Sequence, residues 1–270
     1  TDCRVSGPIH VVDDEAGLAE QLATAAEAVS AALGENATQR ATLDGAMLTA
    51  IRTAAASGAA TDLLARRDCR TLALFGAGVQ ARTHLEAMCS VRPIDTIRVF
   101  SRTPSKVAEL VEYASRVLDQ SATRIIVAES PQQALADADI VCCTTTSKVP
   151  IFDDDDLKSG VHINAVGSYT PQAREVPPET VRRALVVVDS RHAAWDEAGD
   201  LIQPLQAGLI GREHIHAELG ELVLSRKTGR TSDSQITLFK SVGLAVQDAV
   251  AARVAMKNAV SQNLGQEVEW

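Results

Sequence analysis

A chain of 270 residues can bury one large core or two ordinary ones. Hydrophobic residues make up 46% but aromatics only 3%, so the interior must be built from Ala, Val, Leu and Ile, which suits helices packed on a parallel sheet. A net charge of -9 with scattered Lys and Arg argues against nucleic-acid or membrane-surface partners, and no apolar run is long enough to predict a membrane helix.

Residues 13–34 place Leu18, Leu22, Ala25, Ala26, Val29 and Leu33 on one face, which predicts an amphipathic helix ending at Gly34. A second, Ala-rich helix is expected over residues 44–66, with Asp44 as its cap. From Thr71 short β-rich runs alternate with helices: "TLALF", "TIRVF", "RIIVA", "DIVCCTT", "GVHINAVG" and "ALVVVDS". Five or six such strands separated by helices predict an α/β fold with a doubly wound parallel sheet. After Ser241 the pattern returns to a long helix. The five cysteines (Cys3, Cys69, Cys89, Cys142, Cys143) lack metal-type spacing, and an odd count without a secretion signal points to a reducing, cytoplasmic compartment. Cys142 and Cys143 read as buried packing.

The chemistry begins at "LFGAGVQA". Gly76-Ala77-Gly78-Val79-Gln80-Ala81 fits G-x-G-x-x-A, follows a convincing strand and opens a convincing helix. Gly76 allows the tight turn, Gly78 lets the backbone approach a pyrophosphate, and Ala81 keeps the helix close to the sheet. Versions that bind NAD place an acid at the end of the second strand. This chain has Ser101, Arg102 and Thr103, with Lys106 behind, a set suited to a 2′-phosphate. NADP(H) is therefore the expected cofactor, with NAD(H) the alternative.

Further along, "DGAMLTAIRTAAASGAATDLLA", "LFGAGVQARTHLEAM", "VFSRTPSK", "ADADIVCCTTTSKVPIF", "HINAVGSYTPQARE", "VVVDSRHAAWDEAGDL" and "TLFKSVGLAVQDAVAAR" follow in fixed order. Together they resemble the ornithine cyclodeaminase/mu-crystallin family of NAD(P)-dependent proteins. The resemblance implies a Rossmann domain over residues 57–240. It also implies a smaller substrate and dimerisation domain from both chain ends, residues 1–56 with 241–270, and a homodimer. Arg52 would approach the cofactor phosphates and a substrate carboxylate. Val79 and Gln80 would follow the phosphate turn, and Ser101 and Arg102 would meet the adenosine ribose. Thr144, Thr145 and Thr146 would flank the nicotinamide ribose, with Val166 and Gly167 beside the ring. Ser241 would reach the carboxamide, and Val242 and Tyr169 the substrate.

Two departures set the reaction. Cyclodeaminases carry an aspartate shortly after "NAVG", where this chain has Tyr169, and another before the Ser-Val pair, where it has Lys240. Both lean towards the mu-crystallin and ketimine-reductase branch. The expected function is an NADPH-dependent reductase of a small imine derived from an amino acid, or an amino-acid dehydrogenase. The alternatives are an ornithine or lysine cyclodeaminase with catalytic NAD, and a non-catalytic NADPH-binding protein. Family members carry a longer stretch ahead of Arg52, including a lysine and an arginine not found here. The chain also lacks an initiator Met, so a truncated start or a shortened substrate domain is expected, and the catalytic residues stay unassigned.

Other constellations read as structural. His214 and His216, followed by Glu218 and Glu221, would share a strand face, but a metal is not expected. Residues 153–156 form an acidic run expected to cap a helix before Gly160. Ser168 lacks the turn of a hydrolase nucleophile. Asp189 reads as a strand-end polar residue near the cofactor cleft, and Trp195 as packing.

Overall fold

The computed structural model describes residues 43–118 and 123–265. The helix expected over residues 13–34 and Cys3 lie outside them. Chain contacts separate residues 53–243 from a second unit that includes residues 43–52 and 244–265.

The larger unit is built on one sheet of eight strands: β1 (Thr71–Phe75), β2 (Thr96–Phe100), β3 (Arg124–Val127), β4 (Ile140–Cys143), β5 (His162–Ala165), β6 (Leu185–Val188), β7 (Ile215–Glu218) and β8 (Thr237–Lys240). Every pairing is parallel, in the order β3-β2-β1-β4-β5-β8-β6-β7. The expected doubly wound parallel sheet is thus present, and two strands are added to the five or six expected. The "IHAE" and "TLFK" runs were too short and too polar at their ends to register as strands by pattern alone.

The helices are α1 (Gly45–Leu64), α2 (Val79–Val91), α3 (Pro104–Val117), α4 (Pro131–Leu135), α5 (Pro178–Arg183), α6 (Arg191–Glu197), α7 (Gly199–Gln206), α8 (Leu219–Val223) and α9 (Ala245–Gln262). Local chemistry starts several of them. Proline opens α3, α4 and α5, where its missing N–H costs nothing. Ser130 and Ser190 cap α4 and α6, and Glu218 with Glu221 forms a capping box on α8. Among the described residues no helix is long and apolar enough to cross a membrane.

Strand alternation sorts the core onto two faces. Ala73 and Phe75 of β1, Val141 and Cys143 of β4, Val186 and Val188 of β6 and Leu238 of β8 share one cluster. On the opposite face Leu72, Leu74, Ile140 and Cys142 join Leu85 and Met88 of α2. Further along that face, Val187, Ala217 and Phe239 are covered by Ala60 and Leu64 of α1. Cys142 and Cys143 are fully buried, and burial pushes the Cys142 thiol up to about 12. They are packing residues, as their apolar setting suggests.

Two local expectations change. The acidic run forms a short 3-10 turn, Asp154–Asp156, rather than capping an α-helix. Asp154 instead accepts from Thr180 Oγ1 at 2.6 Å and Arg183 Nε at 2.9 Å, holding α5. His214 sits in a 3-10 turn and only His216 is on a strand, so the two share no strand face. Their Nε2 atoms face the carbonyl oxygens of Val181 and Thr228.

In the second unit, the Arg52 guanidinium pairs with Asp248 of α9 through Nε at 2.9 Å, and its Nη1 donates to Gln247 Oε1 at 3.3 Å. The α9 helix ends at Asn263 in the left-handed conformation, with φ at 53°.

Candidate active site at the carboxyl edge of the sheet

Because every strand runs the same way, all the connections that leave their carboxyl ends emerge at one edge. The strand order reverses direction between β1 and β4, and that crevice is where open α/β sheets bind ligands. The expected site segments are residues 76–80, 101–106, 144–146, 166–169 and 241–242. Each directly follows β1, β2, β4, β5 or β8.

Backbone hydrogen bonds stitch these segments in series. Gly76 N–H donates to Phe100 O at 2.9 Å, and Thr144 N–H to Phe75 O at 2.9 Å. Val166 N–H donates to Cys143 O at 3.0 Å, and Ser241 N–H to Ala165 O at 3.2 Å. The structure therefore brings together the five strand-end segments that are separated by up to 165 residues in sequence (241 minus 76).

The two glycines of the turn are glycines for different reasons. Gly76 has φ at +103°, and a Cβ there would lie 2.6 Å from Thr144 O and 2.7 Å from Thr144 Oγ1. Thr144 Oγ1 also donates to Phe75 O at 2.7 Å, so this threonine locks β4 to the turn. Gly78 caps α2 with ordinary extended angles, φ -88° and ψ -166°, and a Cβ there would meet nothing within 4 Å. No side chain caps the helix N-terminus. Its first N–H groups have no intrahelical acceptors and face an open approach. Gln80 Oε1 is buried there without a partner, Val79 is exposed, and Ala81 is fully buried against the sheet.

At the end of β2, Ser101 is half-buried, and its Oγ accepts from Thr103 N–H at 3.4 Å. Arg102, Thr103 and Lys106 are exposed. Past β4, Thr144 and Thr145 are half-buried and Thr146 is exposed. Val166 and Gly167 are half-buried, while Tyr169 is 62% exposed. Ser241 is buried and Val242 half-buried. Arg52 belongs to the other unit.

Two acidic arrangements bind these loops, and only the strand-end position of the first was legible in the sequence. The first is Asp189, at the end of β6. Its Oδ2 accepts from Ser241 Oγ at 2.8 Å, Val242 N–H at 3.0 Å and Gly243 N–H at 2.7 Å. Asp189 therefore fixes the whole Ser-Val-Gly loop, a more specific role than a polar strand end. The second is a fully buried cluster of Glu175, Asp200 and Lys240. Asp200 Oδ1 accepts from the N–H groups of Glu175 at 2.7 Å and Val176 at 2.9 Å. Lys240 Nζ stands 3.0 Å from Asp200 Oδ2, an ion pair outside hydrogen-bonding geometry, and donates to Ser168 O. Burial raises the Glu175 carboxyl to about 7, and the nearby Asp200 charge adds to the effect against the opposing pull of Lys240. One signal was available: "TLFK" ends an apolar strand in a lysine, and a buried ammonium requires a carboxylate partner.

The turn fits a dinucleotide. Open space at Gly78 and uncapped N–H groups make a cradle for a pyrophosphate. An all-parallel, doubly wound sheet with such a turn at its switch point defines an α/β protein of the Rossmann type. The chain belongs to the ornithine cyclodeaminase/mu-crystallin family, whose model it matches over residues 19–263. It is 41% identical over 229 residues to the Delta(1)-pyrroline-2-carboxylate reductase of Bacillus cereus, covering 84% of this chain and 69% of the relative. Among solved structures it resembles Delta(1)-pyrroline-2-carboxylate reductase of Thermococcus litoralis in complex with NADH and L-proline. That match has 41% identity and a TM-score of 0.79, covering 83% of this chain and 68% of the other. It also resembles the iminosuccinate reductase of Paracoccus denitrificans in complex with NAD+, at 28% identity and a TM-score of 0.76, covering 84% and 68%.

Proposed function

We propose that this protein is an NAD(P)H-dependent oxidoreductase that reduces a small imine carboxylate to an amino acid, with a cyclic ketimine such as Delta(1)-pyrroline-2-carboxylate as the substrate class. The observation that carries this reading is the 41% identity with Delta(1)-pyrroline-2-carboxylate reductase over most of the chain. The two imine reductases among the similar structures were solved with NADH or NAD+.

The bound nicotinamide would supply the hydride. The residues of this chain do the rest by binding and orientation. Residues 76–80 would hold the pyrophosphate on the α2 N-terminus, and the 144–146 and 166–167 loops would border the nicotinamide half. Asp189 holds Ser241 and Val242 in one arrangement before any ligand arrives. Lys240 is committed to Asp200 and Ser168 O and does not present to a substrate. Tyr169 takes the place of the cyclodeaminase aspartate, which favours a reductase over a lyase. Arg52 would receive an anion by exchanging its Asp248 partner. We further propose NADP(H) over NAD(H), since Arg102 and Lys106 are exposed cations at the end of β2 with no acid at that position. Residues 1–56 with 241–270 would form a substrate and dimerisation domain and residues 57–240 the cofactor domain, in a homodimer.

The test is oxidation of NADPH and NADH with Delta(1)-pyrroline-2-carboxylate and its six-membered homologue. Turnover is expected with both cofactors and a lower KM for NADPH, an advantage lost in Arg102→Ala. No turnover across both imines by protein that binds cofactor would overturn the reductase reading. Equal KM values for the two cofactors would overturn only the preference.

A further inference from the structure

Glu175 is fully buried and lies outside every segment matched to the cofactor. It sits in the stretch between β5 and α5, and its carboxylate reaches two separate loops. Oε1 accepts from Thr145 N–H at 2.6 Å, in the loop after β4. Oε2 accepts from Gly167 N–H at 2.8 Å, in the loop after β5. One carboxylate thus spans two strand-end loops with one oxygen on each.

The fit is close. A Cβ on Gly167 would overlap Thr145 O and stand 2.6 and 2.7 Å from the two Glu175 oxygens, so glycine is required there first by the Thr145 carbonyl and then by the carboxylate. The backbone of Glu175 is held in turn by Asp200 Oδ1, and Lys240 clasps the same β5 loop through Ser168 O. A purely structural role would be served at lower cost by apolar packing, because two buried carboxylates face one ammonium. The donors that offset the excess charge are the loop N–H groups.

We propose that Glu175 is a positioning residue of this site, whose carboxylate sets the spacing between the Thr144–Thr146 and Val166–Gly167 loops and thereby the seat of the nicotinamide half of the cofactor. This rests on the dinucleotide reading given above. In the phosphate turn Gly76 N–H donates to Phe100 O, and Thr144 is tied to Phe75 O through its own N–H and Oγ1, bonds to which Glu175 contributes no atom. Glu175 should therefore matter for ligands that carry the nicotinamide and its ribose and not for those that end at the pyrophosphate.

The charged groups facing the carboxylate are Asp200 on α7 and Lys240 on β8, with the Cys143 thiol on β4. Its titration near 7 gives a second handle. As pH falls through that value the carboxylate protonates and its charge-assisted bonds to the loops weaken.

The experiment compares NADH and ADP binding by calorimetry, in the unaltered chain and in Glu175→Gln. Gln can accept with its one oxygen but sets an NH2 group against the other loop N–H. Expected is a loss of NADH affinity of about tenfold or more, with ADP affinity unchanged. Equal loss for both ligands would assign Glu175 a general structural role and overturn the proposal, as would no loss for either. The unaltered chain gives an independent measurement that needs no variant to fold. Its ratio of NADH to ADP affinity should fall as pH is lowered through about 7, and a flat ratio overturns the proposal. If the unaltered chain binds neither ligand at any pH, the dinucleotide reading itself fails and this proposal with it.

Discussion

Gly78→Ala separates the demands of the fold from those of the ligand. At this position the backbone is extended, φ -88° and ψ -166°, a conformation open to any residue, and the added methyl would meet nothing within 4 Å. On the fold alone the substitution should be neutral or stabilise by about 0.4–1 kcal/mol, through the lower entropy of the unfolded chain. A pyrophosphate drawn onto the uncapped N-terminus of α2 would have to share that open space with the methyl. A loss of about 1.4–2.8 kcal/mol, ten- to hundredfold in Kd, is expected for NADH. Gly76→Ala is the internal contrast. It forces an L side chain to φ +103° against Thr144 atoms at 2.6 and 2.7 Å, and strain of about 1–3 kcal/mol should appear in the unliganded protein. Thermal unfolding without ligand and fluorescence titration with NADH measure the two effects separately. A Gly78→Ala protein that binds NADH as tightly as its parent would refute the assignment of this turn to the pyrophosphate.

Three further outcomes follow from the buried charges. Asp189→Ala removes the acceptor of three donors in the 241–243 loop and should destabilise by about 2–4 kcal/mol while raising substrate KM; unchanged KM with unchanged stability would show that the loop holds itself. Lys240→Met strands Asp200 and Glu175 without a counter-ion and should cost about 3–5 kcal/mol in urea unfolding, partly recovered in Lys240→Met/Asp200→Asn. A variant within about 0.5 kcal/mol of the parent would deny the pair its role. Asp139 has its carboxyl held below the usual range: burial alone would raise it, but Lys158 and the N–H groups of Arg70 and Thr71 outweigh that. A lowered folded value contributes stability that is present above the unfolded pKa and lost as pH falls through the folded one. The stability difference between the parent and Asp139→Asn should therefore be full at neutral pH and shrink in acid; a difference independent of pH would contradict this.

The residues that were legible in the sequence share a property: each signals locally. The run "TLALF" followed by Gly-Ala-Gly marks strand, turn and helix within eleven residues (71 through 81), and the structure keeps that order with β1 ending at Phe75 and α2 starting at Val79. The repeating β-α alternation likewise gives the parallel sheet. Residues 215–218 and 237–240 were missed as strands because each carries a polar or charged residue where a buried run should be apolar. The same cause hid the Glu175 cluster. A glutamate in "PQARE", an aspartate in "AGDL" and a lysine in "TLFK" look like surface residues until folding neutralises one with another. Asp189 could be placed at a strand end, but its three donors lie more than fifty residues away and leave no trace in local pattern.

The position of β8 has a kinetic consequence. It is the last strand along the chain, yet it lies between β5 and β6 near the middle of the sheet. During synthesis, strands up to β5 can pair as they emerge, but β6 and β7 have no place on that sheet until residues 237–240 leave the ribosome. For roughly seventy residues of elongation (from 165 to 237) the edge of β5 stays open, with Ile163 and Ala165 uncovered by their final neighbours. A nascent chain arrested before β8 should therefore be protease-sensitive beyond β5 and become resistant in one step once β8 inserts.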